Sequence, residues 1–182
     1  MAHEVKVLTC LALLALAGCG FQPLYGEPSA ASQADLARVR ISPIRDVPDP
    51  SGRTTSIARA AQELRNFLLD RVTPRGVPAS PLYDLTITVA ESKTTLLGIR
   101  SDESATRASL VLTASYSLVQ TNDGRLLTQS SARSDVSYNI LRNEFATLSA
   151  ENDARRRAAR ELSEAISTQV ASALVGMRQA KP

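Results

Sequence analysis

The chain has 182 residues, a net charge of +3 and a pI near 9.1, with two cysteines and one histidine. That length favours one domain. His3, Cys10 and Cys19 all lie at the start, so the remainder offers no disulfide, no zinc, copper or haem ligand set and no histidine-based triad.

Residues 1–18 read as a signal peptide. Lys6 precedes an apolar run from Val7 to Leu16, which ends in Leu16-Ala17-Gly18-Cys19. The run is shorter than the roughly 20 apolar residues that a spanning helix needs. Leu-Ala-Gly-Cys matches the lipobox of bacterial lipoproteins. Small Ala17 and Gly18 suit a narrow peptidase site, and the Cys19 thiol is the nucleophile for a diacylglycerol. Two or three acyl chains anchor stably where one does not. Gly20, rather than an aspartate, follows the cysteine, which favours the outer membrane. The alternative is an unlipidated signal with an incidental Cys19. Export argues against nucleic acid and for an anionic partner outside the cytoplasm, such as a phosphorylated lipid.

Residues 19–35 form the lipidated N-terminus and a tether, with "GEPSAASQAD" small and polar. A single domain is expected over 36–178. "LARVRISPI" (36–44) predicts a first strand ending near Pro43. A helix begins near Thr54 and Thr55, with Ile57, Ala60, Ala61, Leu64 and Leu68 on one face, and Pro74 and Gly76 close it. "YDLTITVAESKTTLLGIR" alternates, with Tyr83, Leu85, Ile87 and Val89 on one side. A third strand (104–121) places Leu110, Leu112, Ala114, Tyr116 and Leu118 on one face. "TNDGR" predicts a hairpin turn. A fourth strand (126–141) sets Leu126, Val136, Tyr138 and Ile140 on one face. A long helix over 150–177 carries Ala158, Leu162, Ala165, Ile166, Gln169, Ala173 and Leu174 as its stripe.

The predicted fold is α+β: a two-layer sandwich, β-α-β-β-β-α, with a four-stranded mixed sheet and two helices on one face. One face of strands two to four is apolar and the other rich in Ser, Thr and Gln, whereas a sheet covered on both sides reads as continuous apolar runs. The polar face is either plainly solvent-exposed or turned to a polar, water-filled wall.

"GCGFQPLYG", together with this order of elements, resembles the opening of the LptE family of lipopolysaccharide-assembly lipoproteins in its alphaproteobacterial form. The resemblance implies an outer-membrane, lipid-anchored protein on the periplasmic side. It implies a plug in the lumen of the β-barrel LptD, the two inserting lipopolysaccharide into the outer leaflet. Phe21, Leu24 and Tyr25 are then placed at the membrane interface or against the barrel, the alternative being a tolerated spacer.

Lipopolysaccharide presents phosphates and acyl chains, so a binder needs Arg or Lys beside apolar surface. "TTLLGIRSDESATR" (94–107) supplies Arg100 and Arg107 next to Leu96, Leu97 and Ile99. The family carries a basic contact in this hairpin, and Arg100 matches it by spacing. It carries a second near the entry to the last helix. Spacing puts Ser149 there, and Arg142 is the nearest cation. Arg100 also reads as an ordinary loop arginine, with Asp102 and Glu103 reducing the local field.

Arg155, Arg156, Arg157 and Arg160 read as a solvated helix face, with Arg157–Glu161 and Arg160–Glu164 pairs. No spacing of acids demands catalysis, so no enzyme, metal or cofactor is expected beyond the lipid on Cys19. The competing assignment is an auxiliary lipoprotein of a lipid-transport ABC system. A periplasmic hydrolase lacks a nucleophile–base pair.

Overall fold

A computed structural model describes residues 34–47, 54–96 and 107–179. The signal, Cys19, Phe21, Leu24, Tyr25 and Arg100 lie outside them. The elements are β1 (Val39–Ile41), β2 (Arg45–Asp46), α1 (Thr54–Val72), β3 (Tyr83–Leu96), β4 (Arg107–Gln120), β5 (Leu126–Asn139) and α2 (Glu144–Gln179).

The first predicted strand is interrupted where its proline falls. Ile41 pairs with Leu85, but Arg45 pairs with Thr88, so one extra residue sits on the edge strand between them. Pro43 has no N–H to donate, which confines it to such an edge irregularity. Ser42 N–H still donates to Leu85 C=O at 3.0 Å, and pairing resumes with Val47 N–H donating to Val89 C=O at 2.9 Å. β2 therefore continues β1 along one edge of β3. Both run parallel to it, while β3, β4 and β5 form an antiparallel meander in the order β1-β3-β4-β5. The sheet is mixed and open.

Period-two alternation decides which side is covered. Leu85, Ile87 and Val89 of β3 are buried with Leu110, Leu112, Ala114, Tyr116 and Leu118 of β4 and Ala132, Val136 and Tyr138 of β5. Against them pack Ala60, Leu64, Leu68 and Val72 of α1 and Ala154, Ala158, Leu162, Ile166, Val170 and Leu174 of α2. Each fully buried Leu or Ile contributes about 1.5–3 kcal/mol relative to exposure. The molecule is a two-layer α+β sandwich with both helices on one face.

Two sequence expectations shift. In β5, Leu118 pairs with Thr128 but Val119 pairs with Leu126, a bulge with one extra residue on β5. The bulge reverses parity below it. Leu126 stands opposite outward-facing Val119 and is exposed, while Leu127 packs partly against the core. In α2 the helix starts at Glu144 rather than near residue 150, and Gln169 is exposed on the flank of the stripe.

Strands β3, β4 and β5 each have 14 residues, about 45 Å of extended chain. The two ends of the sheet are therefore far apart. At one end, the base, lie the start of β1, the α1–β3 connection, the β4–β5 turn and the end of α2. At the other, the tip, lie the end of β3, the start of β4, the β5–α2 turn and the start of α2.

Candidate functional site

The tip is assembled from three separate stretches of chain. Arg107, the first residue of β4, stands opposite Asn139, the last of β5. Three residues on, Arg142 occupies the turn into α2. Both arginines are exposed, and neither forms an ion pair with another described residue. The register thus gathers two of the three candidate lipopolysaccharide contacts at one end; the third, Arg100, lies outside the described residues.

The early start of α2 changes what surrounds them. Asn143 caps the helix, its Oδ1 accepting from Ala146 N–H at 3.2 Å. The Thr147 hydroxyl accepts from Leu141 N–H at 2.9 Å and holds the turn shut. Arg142 therefore stands directly at the helix entry, where spacing had put Ser149. Leu141 in the preceding turn and Phe145 and Leu148 in the first two turns of α2 are exposed, Phe145 at 79%. Neither helix face nor strand pattern flagged these residues. The signal was Asn143-Glu144, a capping residue followed by an acid in the first turn.

Beneath the tip the space between the layers is charged. The alternation that buries Leu85, Ile87 and Val89 turns Glu91 under α2 and brings Lys93, still exposed, to the same side at its edge. Unpaired, the Glu91 carboxylate is costly to desolvate. Arg155 answers Glu91 with both Nε and Nη2, at 3.0–3.2 Å. It also donates to Glu151, and Nη1 donates to Asn152 Oδ1 at 3.2 Å. Glu151 accepts from Lys93 Nζ at 2.7 Å and from the Tyr138 hydroxyl at 3.0 Å. Burial disfavours the Arg155 charge, yet Glu91 and then Glu151 hold its pKa above the ordinary arginine value. Burial likewise pushes Glu151 up, but hydrogen bonds from Lys93 and Tyr138 and the Arg155 charge hold it below the ordinary glutamate value.

Arg155 is therefore not part of a solvated face; it is 5% exposed. The expected helical pairs also differ. Arg157 pairs with Asp153 at 2.9 Å. Arg160 lies over the Phe67 ring at 5.2 Å, and Glu164 pairs with Arg71 of α1. Glu161 accepts from Ser134 Oγ at 2.6 Å. These partners lie on other elements or on the preceding turn because α2 is packed along both the sheet and α1.

The uncovered face carries rows of polar side chains, mostly short hydroxyls, across the strands. Thr88, Ser115 and Ser131 stand side by side, as do Thr86, Ser117 and Gln129. Arg40 and Asp84, directly opposite on β1 and β3, close a two-pronged ion pair at 2.5 and 2.6 Å. Ser109 donates to Asp135. Among the described residues no group of three or more His, Cys, Asp or Glu is placed to hold a metal ion, and no helix is long and apolar enough to cross a membrane.

Residues 36–170 match the family model of LptE, lipopolysaccharide-assembly. The chain belongs to the LptE family. Solved structures share the fold at low identity. A candidate lipoprotein from Caulobacter crescentus superposes with a TM-score of 0.60 at 19% identity, over 81% of this chain and 98% of that one. Rare lipoprotein B from Shewanella oneidensis gives 0.53 at 10% identity, over 76% and 99%. A minor lipoprotein from Acinetobacter baumannii gives 0.50 at 15%, over 75% and 92%. No curated protein sequence matches the chain. LptE is a family of lipopolysaccharide assembly and not a known enzyme family.

Proposed function

We propose that this LptE-family chain is an outer-membrane lipoprotein, acylated at Cys19, that forms a complex with the barrel LptD and acts as its plug in lipopolysaccharide insertion. Phe21, Leu24 and Tyr25, next to the acylated cysteine, sit at the membrane interface or against the barrel. The tip meets the glycolipid. Arg107 and Arg142, with Arg100 in the adjoining hairpin connection, take phosphates, while Leu141, Phe145 and Leu148 lie alongside acyl chains.

The observation that carries this reading is the one-sided sheet. An uncovered face of Thr and Ser rows, joined by Gln129, presents hydrogen-bonding groups suited to a lumen lined with polar groups and water. The test is a photo-crosslinker at Ser115, which is exposed, against one at Leu112, which is buried under the helices. Ser115 captures a large outer-membrane barrel, identified by mass after detergent solubilisation, and Leu112 captures nothing. Capture through Arg156 on α2 with silence at Ser115 reverses the orientation. Recovery of inner-membrane transporter subunits points instead to the ABC auxiliary.

A further inference from the structure

We infer that the base of the sheet is a docking surface for an anionic phospholipid leaflet, distinct from the glycolipid-facing tip. This rests on the lipid anchor at Cys19 and not on the barrel.

Three apolar side chains are exposed at this end: Val77 at 64%, Leu82 at 39% and Leu126 at 53%. Single exposed apolar residues are ordinary, but two of these lie on segments tied together by backbone hydrogen bonds. Leu82 N–H donates to Arg38 C=O at 3.0 Å, and Thr121 N–H donates to Leu82 C=O at 2.9 Å. Val77 lies in the same α1–β3 connection as Leu82. Leu126 is exposed because the β5 bulge turns it from the core.

The charge at this end is basic. Arg38, Arg75 and Arg125 are exposed, one from each of the three converging segments, and none forms an ion pair with a described residue. Of the local acids, Asp35 is held by Arg178 at 2.6 Å and Asp84 by Arg40, while Asp123, which accepts from Arg125 N–H at 3.1 Å, and exposed Asp70 in the last turn of α1 keep their charge against the three arginines. Apolar side chains ringed by arginines suit the headgroup region of an anionic leaflet.

The path of the chain selects the occupant. The segment leading from Cys19 joins the domain at this end, where the Asp35–Arg178 pair ties the helical turn at residues 34–36 to the end of α2. Its 15 residues from Gly20 to Ala34 keep the base within roughly 50 Å of the anchoring leaflet. Tethering at that range supplies a high effective concentration, so a weak surface affinity suffices to orient the domain. Base down, the tip points away from the leaflet that holds the anchor.

With Cys10 removed in the signal peptide and the Cys19 sulfur in a thioether to its lipid, the mature acylated chain has no free thiol, which makes the test clean. Leu126→Cys, Ser115→Cys and Phe145→Cys chains are labelled with a polarity-sensitive dye. Each is reconstituted in phosphatidylethanolamine vesicles with phosphatidylglycerol and a brominated lipid. Quenching at position 126 is expected to exceed that at 115 and at 145 at least threefold. It falls at least twofold when phosphatidylglycerol is replaced by phosphatidylcholine, or when Arg38→Glu and Arg125→Glu are combined. An acylated chain quenched equally at 126 and 115, or most strongly at 145, overturns the inference alone. A mature chain without a fatty acid on Cys19, read by mass, overturns the lipoprotein reading and the inference with it.

Discussion

The space between sheet and helices is filled in two different ways along one strand. Toward the base, β3 turns Leu85, Ile87 and Val89 into an aliphatic layer against α1 and α2. Toward the tip, the same alternation turns Glu91 inward and Lys93 to the edge of the same side, and α2 meets them with Arg155 and Glu151. The aliphatic half is held by area, which is tolerant of small shifts. The ionic half is held by atom-to-atom matching, which fixes α2 against β3 in register. The difference places the positionally demanding interactions next to Arg107 and Arg142, where the relative placement of hairpin and helix entry governs the site.

The sharpest way to break this comparison is to unbalance the ionic half. Arg155→Ala leaves Glu91 buried without its counter-charge and is expected to cost about 3–5 kcal/mol, read by urea unfolding. Combining it with Glu91→Gln removes both charges, so the double variant should recover a large part of the loss. If the double variant is no more stable than Arg155→Ala, the pairing is not what holds this half. Leu85→Ala, six residues earlier on the same strand, should cost about 2–5 kcal/mol through the cavity it leaves. No second substitution that merely restores charge balance should rescue it.

Much of this architecture is legible in the sequence because it follows from short periods. The faces of β3 and β4 obey strict alternation, and α1 ends at Val72 just before Pro74. What escapes depends on tertiary register. Leu126 has the parity of a core residue until the bulge displaces it. Arg155 reads as solvent-facing because its partner Glu91 is 64 positions away and meets it only when α2 lies on β3. The helix entry escapes because Ile140 and Leu141 extend the strand pattern past Asn139, hiding the cap at Asn143. Arg107 and Arg142 are individually visible, but their shared end of the molecule follows from the pairing of Arg107 with Asn139.

Acid separates the halves more gently. Glu151 has a folded pKa below its ordinary value. The stability it contributes is fully present above the ordinary glutamate range. It is lost as pH falls through the depressed folded pKa, because the unfolded chain then takes up the proton first. Thermal unfolding scanned downward from the ordinary glutamate value should show a declining melting temperature. Glu151→Gln should start lower at neutral pH and decline less steeply. Leu85→Ala should decline in parallel with the parent, displaced but with the same slope. A parent-like slope in Glu151→Gln would mean that other carboxylates set the acid limb.

The smallest effect on stability is expected at the tip itself, and that is what distinguishes the site from its support. Arg107 and Arg142 are exposed and outside every ion pair among the described residues, so Arg107→Glu with Arg142→Glu should change stability by only about 0.5 kcal/mol per site. The same reversal places two carboxylates where phosphates are proposed to sit. Charge-assisted hydrogen bonds contribute about 1.5–3 kcal/mol each, so lipopolysaccharide binding should weaken at least tenfold at unchanged melting temperature. Phe145→Ser, which keeps both cations, should weaken it less, since it removes only apolar contact. Arg155→Met with Glu91→Met supplies the link between support and site. If the ionic half positions the tip, that pair of substitutions restores most of the stability lost in Arg155→Ala yet still weakens lipopolysaccharide binding. Full binding in the refilled apolar variant would show that the tip arginines find their geometry without the charges beneath them.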